Sequence, residues 1–139
     1  MHVCKQWLVV FAACASFIAV LPAAADTPQE ILSGFEQQAK AESASFQGFD
    51  AARGELFFNS THGNDWSCAT CHTQNPAASG KHAKTDKPIE PLAPAANAER
   101  FTDPKKVAKW FKRNCGDVLG RECTSLEKGD VLTYLLSVK

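Results

Sequence analysis

Cys68-Ala69-Thr70-Cys71-His72 restricts what this chain can fold into more than any other stretch. It has the pattern of a covalent haem attachment site, with two cysteines as thioether anchors and His72 as the proximal iron ligand. Two residues between the cysteines make one helical turn, which sets both sulfurs against the two vinyl edges of one porphyrin. The adjacent histidine then points its imidazole at the iron. A thioredoxin-like redox pair and half of a zinc site are the competing readings, and the rest of the chain favours haem.

The start of the chain reads as an export signal. Lys5 is followed by an apolar run from Trp7 to Leu21, and Ala23-Ala24-Ala25 supplies the small residues of a cleavage site. The run is short for a membrane span. A retained anchor is the alternative, and Phe11 argues against a lipoprotein at Cys14. The expected domains are therefore a signal peptide over 1–25 and one haem domain over 26–139. Of six cysteines, Cys4 and Cys14 leave with the signal. Lysine plus arginine equals aspartate plus glutamate at 15 each, and Lys5 also leaves, so no net charge points to nucleic acid or an anionic membrane. A core this small is marginal alone, and a large apolar cofactor would supply much of the missing burial.

Four helix starts are written in local chemistry. Thr27-Pro28-Gln29-Glu30 combines cap, first-turn proline and capping box, followed by Ile31, Leu32, Phe35 and Ala39 on one face to about Ser43. Asp50 caps a second helix to about Asn59, in which Gly54 is explained by close approach of another helix. Asp103-Pro104 opens a helix that carries Val107, Trp110 and Phe111 inward and ends near Asn114. Thr124 and Glu127 box the last helix, Ser125 to Ser137, with Val131, Leu132, Leu135 and Leu136 as its apolar face. Between His72 and Phe101, Pro76, Gly80, Pro88, Pro91 and Pro94 punctuate a long stretch without periodicity, suited to wrapping a haem. No strand pattern appears. The expectation is an all-α domain, and a second helix crossing the last one beside CxxCH resembles the class I cytochrome c fold, here with an extra N-terminal helix.

The only methionine is Met1, so a mature chain cannot close the iron with a thioether sulfur. The open alternatives opposite His72 are His62, His82, a lysine such as Lys109 or Lys112, an asparagine such as Asn114, water, or no ligand. Once Cys68 and Cys71 hold haem, Cys115 and Cys123 have only each other to pair with in an oxidising compartment. Their bond would close a short loop, stabilising by about 2.5 kcal/mol in the chain-entropy model. It would also pin the backbone just after Asn114.

Several stretches resemble the SHP family of small exported c-type cytochromes. They are Ile89-Glu90-Pro91-Leu92-Ala93-Pro94, Arg100-Phe101-Thr102-Asp103, Trp110, Arg113-Asn114-Cys115, Gly120-Arg121-Glu122-Cys123-Thr124 and Glu127-Lys128. The stretch from Thr73 to Lys87 matches less clearly. The resemblance implies one covalent haem c, a periplasmic location, a Cys115–Cys123 disulfide and Asn114 as the sixth ligand. It further implies release of Asn114 on reduction, oxygen, nitric oxide or carbon monoxide as diatomic ligands, and a diheme c-type cytochrome or membrane cytochrome as electron donor. Arg100 and Lys87 are candidates for pairing a haem propionate, and a carbonyl near Pro88 or Pro91 for orienting His72.

Three functions compete on this basis. They are electron transfer with reversible binding of diatomics, plain electron transfer without gas binding, and an enzyme such as a peroxidase or nitric oxide dioxygenase. The last needs a distal acid–base group, which neither His62 nor His82 is placed to supply by any motif. Arg113 points about 100° away from Asn114 on a helix.

Overall fold

The computed structural model describes residues 26–139; the expected signal peptide, with Cys4 and Cys14, lies outside the described residues. The helices are α1 (Pro28–Glu42), α2 (Ala51–Asn59), α3 (Cys68–His72), α4 (Pro104–Leu119) and α5 (Ser125–Ser137). The fold is all-α. Thr27 and Glu30 exchange both capping-box hydrogen bonds, at 3.2 and 2.6 Å. Asp50 accepts from Arg53 N–H at 2.6 Å, and Asp103 from Lys106 N–H at 3.0 Å. Thr124 and Glu127 close the second box. Each cap satisfies N–H groups that a helix start leaves without an internal partner.

Helix α5 is the hub, packed by α1 on one side and α2 on the other. Leu132 and Leu135 are fully buried, as is Phe58 from α2. One cluster joins Ile31, Phe35 and Leu132 to Val107 of α4; another joins Phe58 to Val131, Tyr134 and Leu135. Each such side chain contributes about 1.5–3 kcal/mol by leaving water. The close approach expected at Gly54 is present. A β-carbon there would overlap the carbonyl group of Asp130 in α5.

Two polar ties across these helices have no sequence signature. The Asp130 carboxylate, only 3 % exposed, accepts from the Asp50 N–H at 2.8 Å and from Arg53 Nε and Nη2 at 2.5 and 2.7 Å. Buried Ser125 donates its hydroxyl to Glu42 at 2.6 Å and its N–H at 3.1 Å, so the end of α1 caps the start of α5.

Two expectations need correction. Helix α4 does not end near Asn114; it continues to Leu119 and stops at Gly120, whose φ of +68° gives the left-handed cap. The stretch after His72 also contains an antiparallel pair, β1 (Gly80–Lys81) and β2 (Pro88–Ile89). Two-residue strands are too short to show alternation in sequence. Elsewhere in this stretch the Pro76 carbonyl accepts from Leu92 and Ala93 N–H at 2.8 and 2.9 Å.

Candidate haem site

Helix α3 is one turn long and is capped by Ser67, which accepts from Thr70 N–H at 3.2 Å while Thr70 Oγ1 accepts from Ser67 N–H at 2.9 Å. The turn places Cys68, Cys71 and His72 together on the wall of one cavity. The chain leaves it sharply through Thr73, at φ +62° and ψ 165°, a conformation that costs a branched residue about 1–3 kcal/mol. Gly80 lies against the Cys71 carbonyl with no space for a β-carbon. The Ala83 N–H donates to Cys71 Sγ at 3.4 Å, so the strand pair wraps that sulfur.

Burial sets the protonation of this wall. It pushes the Cys68 thiol up to about 11, with the neighbouring Cys71 adding to the effect. It pushes His72 down to about 4, aided by the positive charge of Arg100. His72 is therefore the neutral imidazole that coordinates metals. The Phe58 ring stands 6.4 Å from it.

The facing wall is α4. Val107, Phe111, Asn114 and Val118 recur at three- and four-residue steps and so share one side of the helix. All four line the cavity, with Asn114 half-buried among them. Cys115, the next residue, is bonded to Cys123 with a Cα–Cα distance of 5.6 Å. The cavity measures about 470 Å³, within the range of sites that bury a sizeable ligand, and its lining is mainly apolar. Among the described residues, Cys68 and Cys71 are the free cysteines. Two free thiols, a neutral imidazole and apolar walls fit a covalently anchored haem.

The other candidates sort by position. His62 is not on the cavity wall; its Nε2 is 2.9 Å from the Phe57 carbonyl oxygen and its ring lies tilted against Phe57, centroids 4.3 Å apart. His82 sits on the wall, and its Nδ1 accepts from Lys84 N–H at 3.2 Å. Lys109 and Lys112 lie off the cavity, Lys112 pairing with Glu122 at 3.3 Å. Arg113 borders it and holds its guanidinium 5.6 Å from the Trp110 ring centroid.

Lys87 is an exposed cation at the edge, whereas Arg100 is half-buried. Arg100 donates to the Pro91 and Glu90 carbonyls, each at 2.8 Å, which fixes its guanidinium at the cavity edge. Trp110, expected inward, stands at the rim, 44 % exposed. Sequence reading missed Val118 and Leu119 on the wall because it stopped the helix too early; the four-residue step from Asn114 to Val118 was the available signal. It also missed Trp66, which carries Lys84 over its ring at 4.6 Å.

Comparison with known proteins gives concordant results. The family model for a domain of unknown function, DUF1924, matches residues 44–135. The cytochrome c-type protein SHP of Cereibacter sphaeroides is 42 % identical over 117 residues, covering 81 % of this chain and 85 % of that protein. Cytochrome c'' of Methylophilus methylotrophus is 46 % identical over 88 residues, covering 60 % of this chain and 61 % of that protein, under two thirds of its length. Among solved structures, oxidised cytochrome c'' superposes with a TM-score of 0.72 at 35 % identity, over 81 % of this chain and 94 % of that one. Oxidised SHP, reported as an oxygen-binding cytochrome c, gives 0.70 at 42 % identity, over 79 % and 96 %. The solution structure of cytochrome c'', which addresses haem-ligand detachment, gives 0.69 at 36 %, over 79 % and 92 %.

Proposed function

The chain belongs to the SHP and cytochrome c'' family of monohaem c-type cytochromes, which carry covalently bound haem c, and from that premise we propose a more specific role. In this reading it is a periplasmic electron-transfer protein that binds oxygen or another diatomic reversibly where Asn114 sits in the oxidised state. The observation that carries the reading is the placement of Asn114 on α4 and His72 on α3 around one cavity, in a chain whose only methionine is Met1. The oxygen binding reported for SHP and the ligand detachment studied in cytochrome c'' support it.

Haem supplies a one-electron couple and, when a coordination position is free, a place for a diatomic. The protein does the rest. Cys68 and Cys71 would hold the macrocycle by thioether bonds, and neutral His72 would ligate the iron. The Asn114 amide oxygen is a hard, weak donor that suits ferric iron better than ferrous. Ferrous iron would hold Asn114 less firmly, and its amide N–H would then be free to donate a hydrogen bond to a diatomic. The Cys115–Cys123 bond keeps the helix beside Asn114 in place during this exchange. A diheme c-type cytochrome or membrane cytochrome supplies the electron, and residues 1–25 act as the cleaved export signal.

Absorption spectra of wild type and Asn114→Ala, oxidised and reduced, with and without carbon monoxide, test the reading. The expected results are a six-coordinate ferric form, a five-coordinate ferrous form that takes carbon monoxide readily, and loss of ferric six-coordination in the variant. A ferrous protein that stays low-spin and ignores the gas would make this a plain electron carrier. An unchanged ferric spectrum in the variant would remove Asn114 as the ligand.

A further inference from the structure

Around its axis, α4 carries three stripes of side chains, each at i, i+4 and i+7 and so aligned along the helix. Val107, Phe111 and Asn114 form the inner stripe already described. One position round, Lys106, Trp110 and Arg113 border the mouth of the cavity. One further round, Lys105, Lys109 and Lys112 stand in solvent. The helix thus presents five cations against the single carboxylate of Asp117, in a chain with no net charge.

Four of these five cations are also without a carboxylate partner among the described residues, as are Lys84, Lys87 and Arg100 around the cavity. Elsewhere Lys40, Arg53, Lys81 and Arg121 each hold a carboxylate. On α4 only Lys112 does so, in an exposed pair with Glu122. Among the described residues no carboxylate lies within ion-pair distance of Lys105, Lys106, Lys109 or Arg113. In their midst Trp110 is 44 % exposed, with the Arg113 guanidinium over its ring.

We propose that this face of α4, centred on Trp110, is the docking surface for an acidic electron-transfer protein. The proposal rests on the electron-transfer reading above and adds where the partner binds and with what charge. An exposed tryptophan beside an arginine supplies the residue types that dominate protein interfaces. Unpaired lysines around it steer an anionic partner and fix its orientation. Trp110 borders the cavity, so a protein seated on it lies at the mouth of the haem cavity. An anionic membrane is the poorer occupant. The apolar side of α4 is already buried through Val107, Cys115 and Val118, which leaves Trp110 as its one exposed large apolar side chain. A membrane-lying helix needs that whole apolar side free.

The test uses the holoprotein with an acidic flavodoxin as the anionic probe. Amide shifts are followed during titration at low ionic strength. Reduction rates are measured with flavodoxin hydroquinone and, separately, with the cationic reductant hexaammineruthenium(II). Perturbations are expected over residues 105–113. Lys105→Glu/Lys109→Glu should slow reduction by flavodoxin about tenfold without slowing reduction by the cation, and the difference should fade with added salt. The haem spectrum should not change; both positions are exposed, and a glutamate at 105 suits the first turn of the helix. Unchanged flavodoxin rates, or shifts on another face, would overturn the proposal. So would salt-sensitive binding of the wild type to phosphatidylglycerol vesicles through α4, which would assign the face to a membrane. If neither reductant reduces the wild type, the electron-transfer reading fails and takes the docking face with it.

Discussion

Gly54 of α2 lies flush against the backbone carbonyl of Asp130 in α5, with no room for a β-carbon between them. An isolated helix gains about 1 kcal/mol when an interior glycine becomes alanine. Here the obstacle is backbone, which cannot swing aside as a side chain tip can, and overpacking of this kind costs about 1–3 kcal/mol. Gly54→Ala should therefore destabilise the holoprotein, seen as a lower denaturant midpoint. A stabilised variant would mean that the two helices separate easily at this crossing.

The junction between α1 and α5 should give the fold an acid limb. Hydrogen bonds from the Ser125 hydroxyl and N–H hold the Glu42 carboxyl below its usual 4.5. Burial pushes Glu127 up, but hydrogen bonds from Arg121 and the Thr124 N–H outweigh it and leave that carboxyl low as well. Groups depressed on folding stabilise fully above their unfolded value and lose that contribution as pH falls through the folded one. The contribution of these two carboxyls should be level above about pH 5 and drop below 4.5. Glu42→Gln should flatten part of that drop in urea midpoints measured across pH; a variant with the wild-type slope would remove Glu42 from the acid limb.

Removing the Cys115–Cys123 bond separates two roles. Loss of the closed loop should cost about 2.5 kcal/mol in the chain-entropy model, read from the denaturant midpoint of Cys115→Ser/Cys123→Ser. Because Cys115 directly follows Asn114, the ferric six-coordinate fraction should fall too. A lower midpoint with an unchanged ferric spectrum would leave the bond as a staple with no hold on the ligand.

Helix starts were legible because they depend on residues three apart. Thr27 with Glu30, Asp50, Asp103 with Pro104 and Thr124 with Glu127 each do their work within one turn. The end of α4 was not legible, because asparagine is only one possible terminator and the positive-φ glycine stands six residues beyond Asn114 at Gly120. Gly54 could be read as a close approach, whereas the Asp130–Arg53 pair could not, since nothing local distinguishes a buried acid from a solvated one in α5. Within the site, the attachment turn follows from its own spacing. The carbonyls that clamp Arg100 and the exposure of Trp110 depend on how the loop and α4 settle around the cavity, which no short stretch records.

The tie between Arg53 and Asp130 joins residues 77 apart in sequence, and that separation orders events in time. Contacts so distant close late, after the loop between them has been gathered in. The 68–72 turn is synthesised well before α5, which supplies most of the cluster against which Cys68 packs. Until the last helix arrives, both thiols stand on an open chain, accessible to whatever attaches the haem. Once α5 docks, Cys68 packs against it and is half-buried on the cavity wall. The topology itself leaves the anchoring cysteines most accessible before that helix arrives.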